Sequence, residues 1–286
     1  MIEKITGTAT TISNISHIGE ALGVDSKFAR QEIFFRGRKI KIPFISANSV
    51  RGTMRRLAAK KLLETIGKQK SDYGGYVQYL LLSGGMLVKS KIAAQKGAQT
   101  GVIDFNFEKK VRRLIPYLSL MGCIVEQKNI EGRLLVSDMI PVACQTQYLT
   151  EIESDLNVNS VLSEVANTSK DDSEAEGETG LGDEGDKQKR QMRYYTEVMI
   201  PGTILKYNFS ILPTATDLDR GSFNSIMRDF INEARLGGNK RIGYGEILFN
   251  DFKVDNELAD GHDSYIDGLK NDITTFLEEL DMRWGK

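Results

Sequence analysis

Apolar side chains return at helical spacing between residues 48 and 66, where Val50, Met54, Leu57, Ala58, Leu62 and Ile66 share a face. Asn48 or Ser49 can cap that helix and Gly67 can end it. Upstream, Ile2 to Ile15 mixes Ile with Thr and Ser in partial alternation and predicts a first strand. Tyr76 to Leu82 predicts a short apolar helix, followed by a Gly84-Gly85 break, a basic loop and Pro116. Residues 121–149 predict strands around a turn near Asn129 to Gly132. Residues 194–212 predict a strand pair, or one long strand, broken at Pro201-Gly202. Phe223 to Ala234 predicts an amphipathic helix with Ile226, Met227, Phe230 and Ile231 on one side. Glu246 to Val254 predicts a final strand, and 263–284 an acidic helix packed through Ile266, Leu269, Ile273, Phe276, Leu277 and Leu280.

The order strand, helix, strands, helix, strand predicts a compact α+β sheet with helices on one face and large insertions. No fixed-period repeat is visible. His17 to Lys41 reads as an extended loop or small hairpin, with Arg36-Gly37-Arg38 as its turn. The centre of 150–193 is acidic and rich in Gly, Ser and Glu, a composition that predicts a disordered tip at 169–190.

Charge changes the picture because it is segregated. The chain of 286 residues carries a net charge of only −1, yet residues 27–70 hold thirteen Lys or Arg against Glu32 and Glu64. Residues 170–186 hold eight acids against Lys170, and 251–286 hold ten acids against four bases. A basic N-terminal third points to an anionic partner, and the acidic tail carries the complementary charge. Cys123 and Cys144 lack metal-ligand spacing and fit a reducing cytoplasm; with only His17 and His262 besides, no zinc site is expected. No signal peptide or membrane span is expected.

Two segments have chemistry suited to an anion. Residues 237–245 read Gly-Gly-Asn-Lys-Arg-Ile-Gly-Tyr-Gly, joining a helical pattern to a strand pattern. They form either a Gly-capped helix end or a cradle for a polyanion with flat bases. The second is Ser46 to Arg56, where small polar residues at a helix start present free amides to an anion. Arg51 and Arg55 lie four apart and could clamp successive phosphates, with Gly52 allowing close approach; the alternative is an ordinary capped helix with a solvated basic side. Asp25, in a glycine-bearing loop, could bind a metal or activate a ribose hydroxyl, or serve as a cap or ion-pair partner. His17 is either a structural histidine or a catalyst. No nucleophile–base pair, Walker loop or dinucleotide fingerprint is present.

On these residues the chain resembles the RAMP superfamily, the ferredoxin-like RNA-binding proteins of CRISPR systems. Ile42 to Gly52 resembles the family's strand end and Arg-Gly helix start. Pro116-Tyr117-Leu118-Ser119-Leu120-Met121-Gly122 with Gly132-Arg133-Leu134 resembles its central region, and Leu236 to Glu246 its glycine-rich loop. The likeness is to the effector backbone subunit of the "Cas-seven" class, in its type IV form and then its type III and type I-D forms.

The resemblance implies one elaborated RRM-like domain, an antiparallel sheet with helices on one face. Its parts are a finger-like extension at 18–42, a helical subdomain at 68–120 and a thumb-like insertion at 145–193. It implies that Ser46, Asn48, Ser49, Arg51 and Arg55 hold guide phosphates. Gly237, Gly238, Asn239, Lys240, Arg241, Gly243 and Tyr244 would flank the same path, with Lys27 nearby. The implied partners are crRNA, a DNA or RNA target, further copies in a helical filament and other CRISPR effector subunits, with no cofactor and no membrane. The Gly-Val-Asp of residues 23–25 resembles the segment holding the RNA-cleaving aspartate of type III subunits. Its surroundings follow the type IV pattern, which implies a structural subunit; a metal-dependent endoribonuclease using Asp25 is the alternative.

Overall fold

The computed structural model describes residues 2–22, 25–86, 104–169, 192–233 and 235–284. The chain opens with β1 (Glu3–Thr11), β2 (Ile18–Leu22), β3 (Asp25–Phe28), β4 (Arg30–Phe35) and β5 (Arg38–Pro43). Four helices follow: α1 (Ala47–Thr65), α2 (Gly75–Ser83), α3 (Phe105–Leu114) and α4 (Pro116–Met121). Then come β6 (Cys123–Val125), β7 (Lys128–Ile130), β8 (Leu134–Val136), β9 (Ile140–Pro141) and the short α5 (Gln147–Thr150). The remainder is β10 (Leu162–Ser169), β11 (Met192–Met199), β12 (Ile204–Ile211), α6 (Asp217–Glu233), β13 (Ile247–Asn250), α7 (Asn256–Gly268) and α8 (Lys270–Trp284). Among the described residues no helix is long and apolar enough to cross a membrane.

The main sheet runs β13-β1-β12-β8, with β9 also on β12 and every neighbour antiparallel. Helix α1 lies in the connection from β1 to β8, and α6 joins β12 to β13. Two interleaved β-α-β units in this order make the sheet ferredoxin-like. Strand alternation decides which face is covered. Leu205, Tyr207, Phe209 and Ile211 of β12 turn inward with Ala9, Ile247 and Phe249, and share one core with Val50 and Met54 of α1 and with Phe223, Met227 and Phe230 of α6. The Phe230 and Phe249 rings lie 5.3 Å apart, and Tyr207 meets Phe249 edge-on at 5.1 Å. Each such buried ring contributes about 2–3 kcal/mol of transfer free energy. On the opposite face Ile204 and Leu248 remain exposed, so the helices cover one side of the sheet.

The insertions depart from expectation at several points. Residues 18–43 form two hairpins where an extended loop or one small hairpin was expected. The β4–β5 hairpin closes on Arg36-Gly37, both with positive φ (49° and 75°), a two-residue turn that matches strand twist. The β2–β3 hairpin instead extends the β10–β11 hairpin into a sheet of order β10-β11-β3-β2. The turn expected near Asn129 to Gly132 lies at Glu126-Gln127, where two non-glycine residues take positive φ. The final strand is shorter than expected, ending at Asn250. The tail forms two helices because the chain turns between α7 and α8 at Leu269. The basic loop after Gly85 falls largely outside the described residues, as does the acidic tip apart from Ser169.

Helix α6 begins earlier than its apolar pattern suggests. Thr216 and Asp219 cap its first turn reciprocally: Thr216 N and Oγ1 donate to Asp219 Oδ2 at 2.8 and 2.7 Å, and Asp219 N donates back to Thr216 Oγ1 at 3.3 Å. Asp219 is 2% exposed. Its carboxylate also accepts from Ser119 Oγ (2.8 Å) and from Arg133, while Arg112 donates to Ser119 Oγ at 2.9 Å. The central Ser119 and Arg133 segments thus converge on one carboxylate of α6. Burial alone would raise that carboxyl, but hydrogen bonds from Thr216, Ser119 and Arg133 hold it below its ordinary value. Removing it strands the Arg133 guanidinium. Asp219→Ala should lower the unfolding free energy by about 3–5 kcal/mol in urea titrations, and a loss below about 1 kcal/mol would show that the network is dispensable.

Candidate nucleic-acid interface

The connection leaving β1, residues 12–17, touches both segments that the sequence singles out. On one side it carries the glycine loop. Gly238 N donates to Ser16 O at 2.7 Å, Gly245 N to Asn14 O at 2.8 Å, and Leu236 N to Gly245 O at 2.8 Å. Two glycines are required here. Gly237 has φ +78° and a Cβ would lie 2.1 Å from Ser16 O; Gly245 has φ +96° and a Cβ would lie 2.3 Å from Leu236 O. The loop is therefore pinned main chain to main chain. Its middle forms a single 3-10 turn, Lys240–Ile242, entered through Asn239 in the left-handed region. Asn239, Arg241 and Ile242 are exposed, and Lys240, Gly243 and Tyr244 are half-buried.

On the other side the connection ends at His17, whose Nε2 accepts from Ser46 N at 3.2 Å. Its ring meets Phe28 and Phe44 edge-on, at 6.0 and 6.2 Å between centroids. The acceptor role requires a neutral imidazole protonated on Nδ1. Burial pushes its pKa below the ordinary value, although the Asp138 charge opposes this. His17 is a structural residue holding the start of α1.

That helix start differs from expectation. The cap is Ser46, whose Oγ accepts from Ser49 N at 3.2 Å, and neither Asn48 nor Ser49 caps it. Ala47 N donates to Asp138 Oδ1 at 2.7 Å. The amides of Ser46, Ala47 and Ser49 are thus occupied by His17, Asp138 and Ser46. A carboxylate already sits where the helix dipole favours an anion. Asn48 is exposed at the second helical position and keeps its side chain toward solvent.

Arg51 and Arg55 share a face, as their spacing requires, but they turn inward. Arg51 donates to Met121 O at 2.6 Å. Arg55 donates to Ser83 O at 2.6 Å, Gly122 O at 3.0 Å and Met121 O at 3.3 Å. Burial and the neighbouring Arg51 charge lower the Arg55 pKa. Both side chains satisfy the carbonyls that end α2 and α4 rather than forming an outward clamp. The next arginine, Arg56, is exposed. It comes close enough to Lys240 that its charge, added to burial, depresses the lysine pKa. A cation of helix α1 and a cation of the glycine loop therefore act on each other. Among the described residues no carboxylate pairs with Arg56, Lys240 or Arg241.

Beyond Phe44 lies a groove of about 1010 Å³ between the β2–β3 and β4–β5 hairpins, lined by Lys27, Phe28, Arg30, Ile40, Lys41 and Phe44 among others. Lys27 is paired with Glu164 and Arg30 with Glu197, while Lys41 is exposed and free of ion pairs among the described residues. Asp25 lies at the far end of β3, and its Oδ1 accepts from Tyr195 N at 3.2 Å. Among the described residues no group of three or more His, Cys, Asp or Glu could hold a metal ion. The residues that sequence reasoning missed are Arg56, Asp138, Glu164 and Glu197. Arg56 was legible as the third arginine of its run; the three acids lie far along the chain from their partners and carry no local signal.

The RAMP superfamily family model matches residues 8–248, and the chain belongs to that superfamily. No curated protein sequence matches the chain. Among solved structures, a chain of a type IV-B CRISPR complex superposes with a TM-score of 0.59 at 21% identity, over 87% of this chain and 90% of that one. The crystal structure of Cmr6 from Pyrococcus furiosus gives a TM-score of 0.45 at 15% identity, over 87% of this chain and 99% of that one. The superposition on the type IV-B chain bears on fold.

The His17 hydrogen bond carries a pH dependence. Its folded pKa lies below the unfolded value of 6.5, so the unfolded chain binds the proton more readily. The contribution is complete above about pH 6.5 and is lost as pH falls through the lowered folded value. Urea midpoints should fall between pH 7.5 and 5.5, and His17→Gln, which keeps an acceptor but cannot titrate, should fall less. Equal slopes for the two proteins would refute this role.

Proposed function

We propose that this RAMP-superfamily chain is a guide-RNA-binding backbone subunit of a CRISPR ribonucleoprotein. Its copies associate head to tail along crRNA, and the complex, with other effector subunits, supports pairing of the guide with target nucleic acid. One observation supports this reading above the others. The 12–17 connection holds the glycine loop and the start of α1 together, and Arg56 of α1 is near enough for its charge to act on Lys240 of the loop. The groove with Lys41 reaches Phe44, whose ring meets His17 at the end of the same connection. Unpaired cations, an exposed amide side chain and the half-buried Tyr244 ring suit a single strand, whose phosphates take the cations and whose bases stack.

The residues implied by family resemblance then divide by role. Lys240, Arg241, Asn239, Asn48 and Tyr244 contact RNA. Ser46, Ser49, Arg51 and Arg55 shape the surface from behind, and Gly237, Gly238 and Gly243 set the loop. Lys27 contributes only if it leaves Glu164. The acidic tail is a poor complement for a neighbour's basic third, because Asp260, Asp263, Glu278 and Glu279 already pair with Arg228, Lys61, Lys68 and Lys110 within the chain. The nuclease alternative gains no support, since the Asp25 carboxylate is engaged with a main-chain amide.

RNA that copurifies with the chain should, when sequenced, consist of guides flanked by repeat sequence; RNA of random sequence would overturn the guide reading. Sedimentation should show a ladder of species that lengthens with the bound RNA. Lys240→Glu combined with Arg241→Glu should weaken RNA binding more than tenfold. It should also reduce the slope of log affinity against log salt by about 1.4, at about 0.7 per phosphate contact on a single strand. An unchanged slope would remove these residues from the phosphate path.

A further inference from the structure

The β2–β3 and β10–β11 hairpins come from segments far apart in the chain, yet they form one sheet. Their main-chain register is a single parallel pair, Thr196 beside Ser26, whereas β10 and β11 share eight. Side chains carry the remaining ties. Asp25 Oδ1 accepts from Tyr195 N at 3.2 Å, and Glu197 Oε2 accepts from Phe28 N at 2.8 Å. Each carboxylate takes the place of a strand carbonyl, satisfying an amide at one end of the β3–β11 seam. Glu164 and Glu197 stand directly opposite each other on β10 and β11, an arrangement that is repulsive on its own. Lys27 of β3 meets Glu164, and Arg30, the first residue of β4, meets Glu197, so the repulsion is relieved by cations from residues 27 and 30.

We propose that Asp25 is a positioning residue that, with Lys27, Arg30, Glu164 and Glu197, latches the two hairpins into one four-stranded arm. The required chemistry is acceptor geometry at position 25, not a nucleophile, a base or a metal ligand. Two acids on the β10–β11 hairpin meet cations at residues 27 and 30, which gives the seam its charge complementarity. The inference concerns the protein alone and does not depend on RNA binding.

The test is amide hydrogen exchange on the full chain, read residue by residue, with β1 and β12 as internal reference. Asp25→Ala should accelerate exchange at least threefold at residues 25–28 and 195–197 while β1 and β12 hold. Asp25→Asn, which keeps an acceptor oxygen without the charge, should stay within threefold of the parent. Lys27→Glu and Glu164→Lys should each accelerate the same amides, and the double charge swap should return them toward the parent rate. Asp25→Ala within threefold of the parent, Asp25→Asn as fast as Asp25→Ala, or a swap no better than its single variants would overturn the latch. So would equal acceleration in β1 and β12, which would mark general unfolding.

Discussion

The buried carboxylate of Asp219 fixes the geometry on which the surface depends. It joins the first turn of α6 to Ser119 in α4 and to Arg133 beside β8. With α4 held, the carbonyls of Met121 and Gly122 stand where Arg51 and Arg55 can reach them. Those bonds set the rotation of α1 about its axis. Rotation matters because Arg56 lies one residue beyond Arg55, about 100° further round the helix. It faces the glycine loop only while its neighbour is anchored. A carboxylate at 2% exposure is costly to desolvate and is retained only when nearly every lone pair is met. Here four donors meet one carboxylate.

The same logic separates cations that build from cations that remain available. Arg51, Arg55, Arg112 and Arg133 donate to main-chain carbonyls or to Asp219 and Ser119. Lys61, Lys68 and Arg228 neutralise the acidic tail. The basic excess of residues 27–70 is therefore much larger than the charge offered to a ligand. Asp138 at the start of α1 reduces it further, because a phosphate approaching those amides meets a carboxylate first. Under the proposed function, binding rests on the rim, where Arg56, Lys240 and Arg241 lack acid partners among the described residues. A few phosphate contacts at that rim would give a salt-sensitive, sequence-tolerant grip.

Local pattern carried much of the fold. The apolar period of α1, the break at Pro201-Gly202, the Arg36-Gly37 turn and the order of strands and helices were legible because each is set by residues within a turn of one another. The failures share a cause. Glu126 and Gln127 turn the chain without glycine because the surrounding strands impose the twist, which no local residue signals. Ser46 caps α1 in preference to Asn48 because His17 and Asp138, 29 and 91 residues away, secure its neighbouring amides. At the candidate site the two segments were legible, but the direction of their side chains was not. Spacing puts Arg51 and Arg55 on one face; only the carbonyls of α2 and α4 decide that this face points inward.

These layers predict different mechanical behaviour within one chain. The ferredoxin-like sheet and α1 are held by aromatic packing and buried polar networks, which salt screens little. The seam between the β2–β3 and β10–β11 hairpins is held by two carboxylate–amide hydrogen bonds, one ladder contact and partly exposed ion pairs, and the ion pairs weaken as ionic strength rises. His17 joins the two regimes. It holds the start of α1 through Ser46, its carbonyl accepts from Ala29 N at 2.7 Å, and its ring packs on Phe28 at the end of β3. Displacement of the arm therefore pulls on a side chain that positions the helix start. A ligand that competes for Lys27 or Arg30 would act on the same seam, so arm position and the surface beside α1 are mechanically linked through one imidazole.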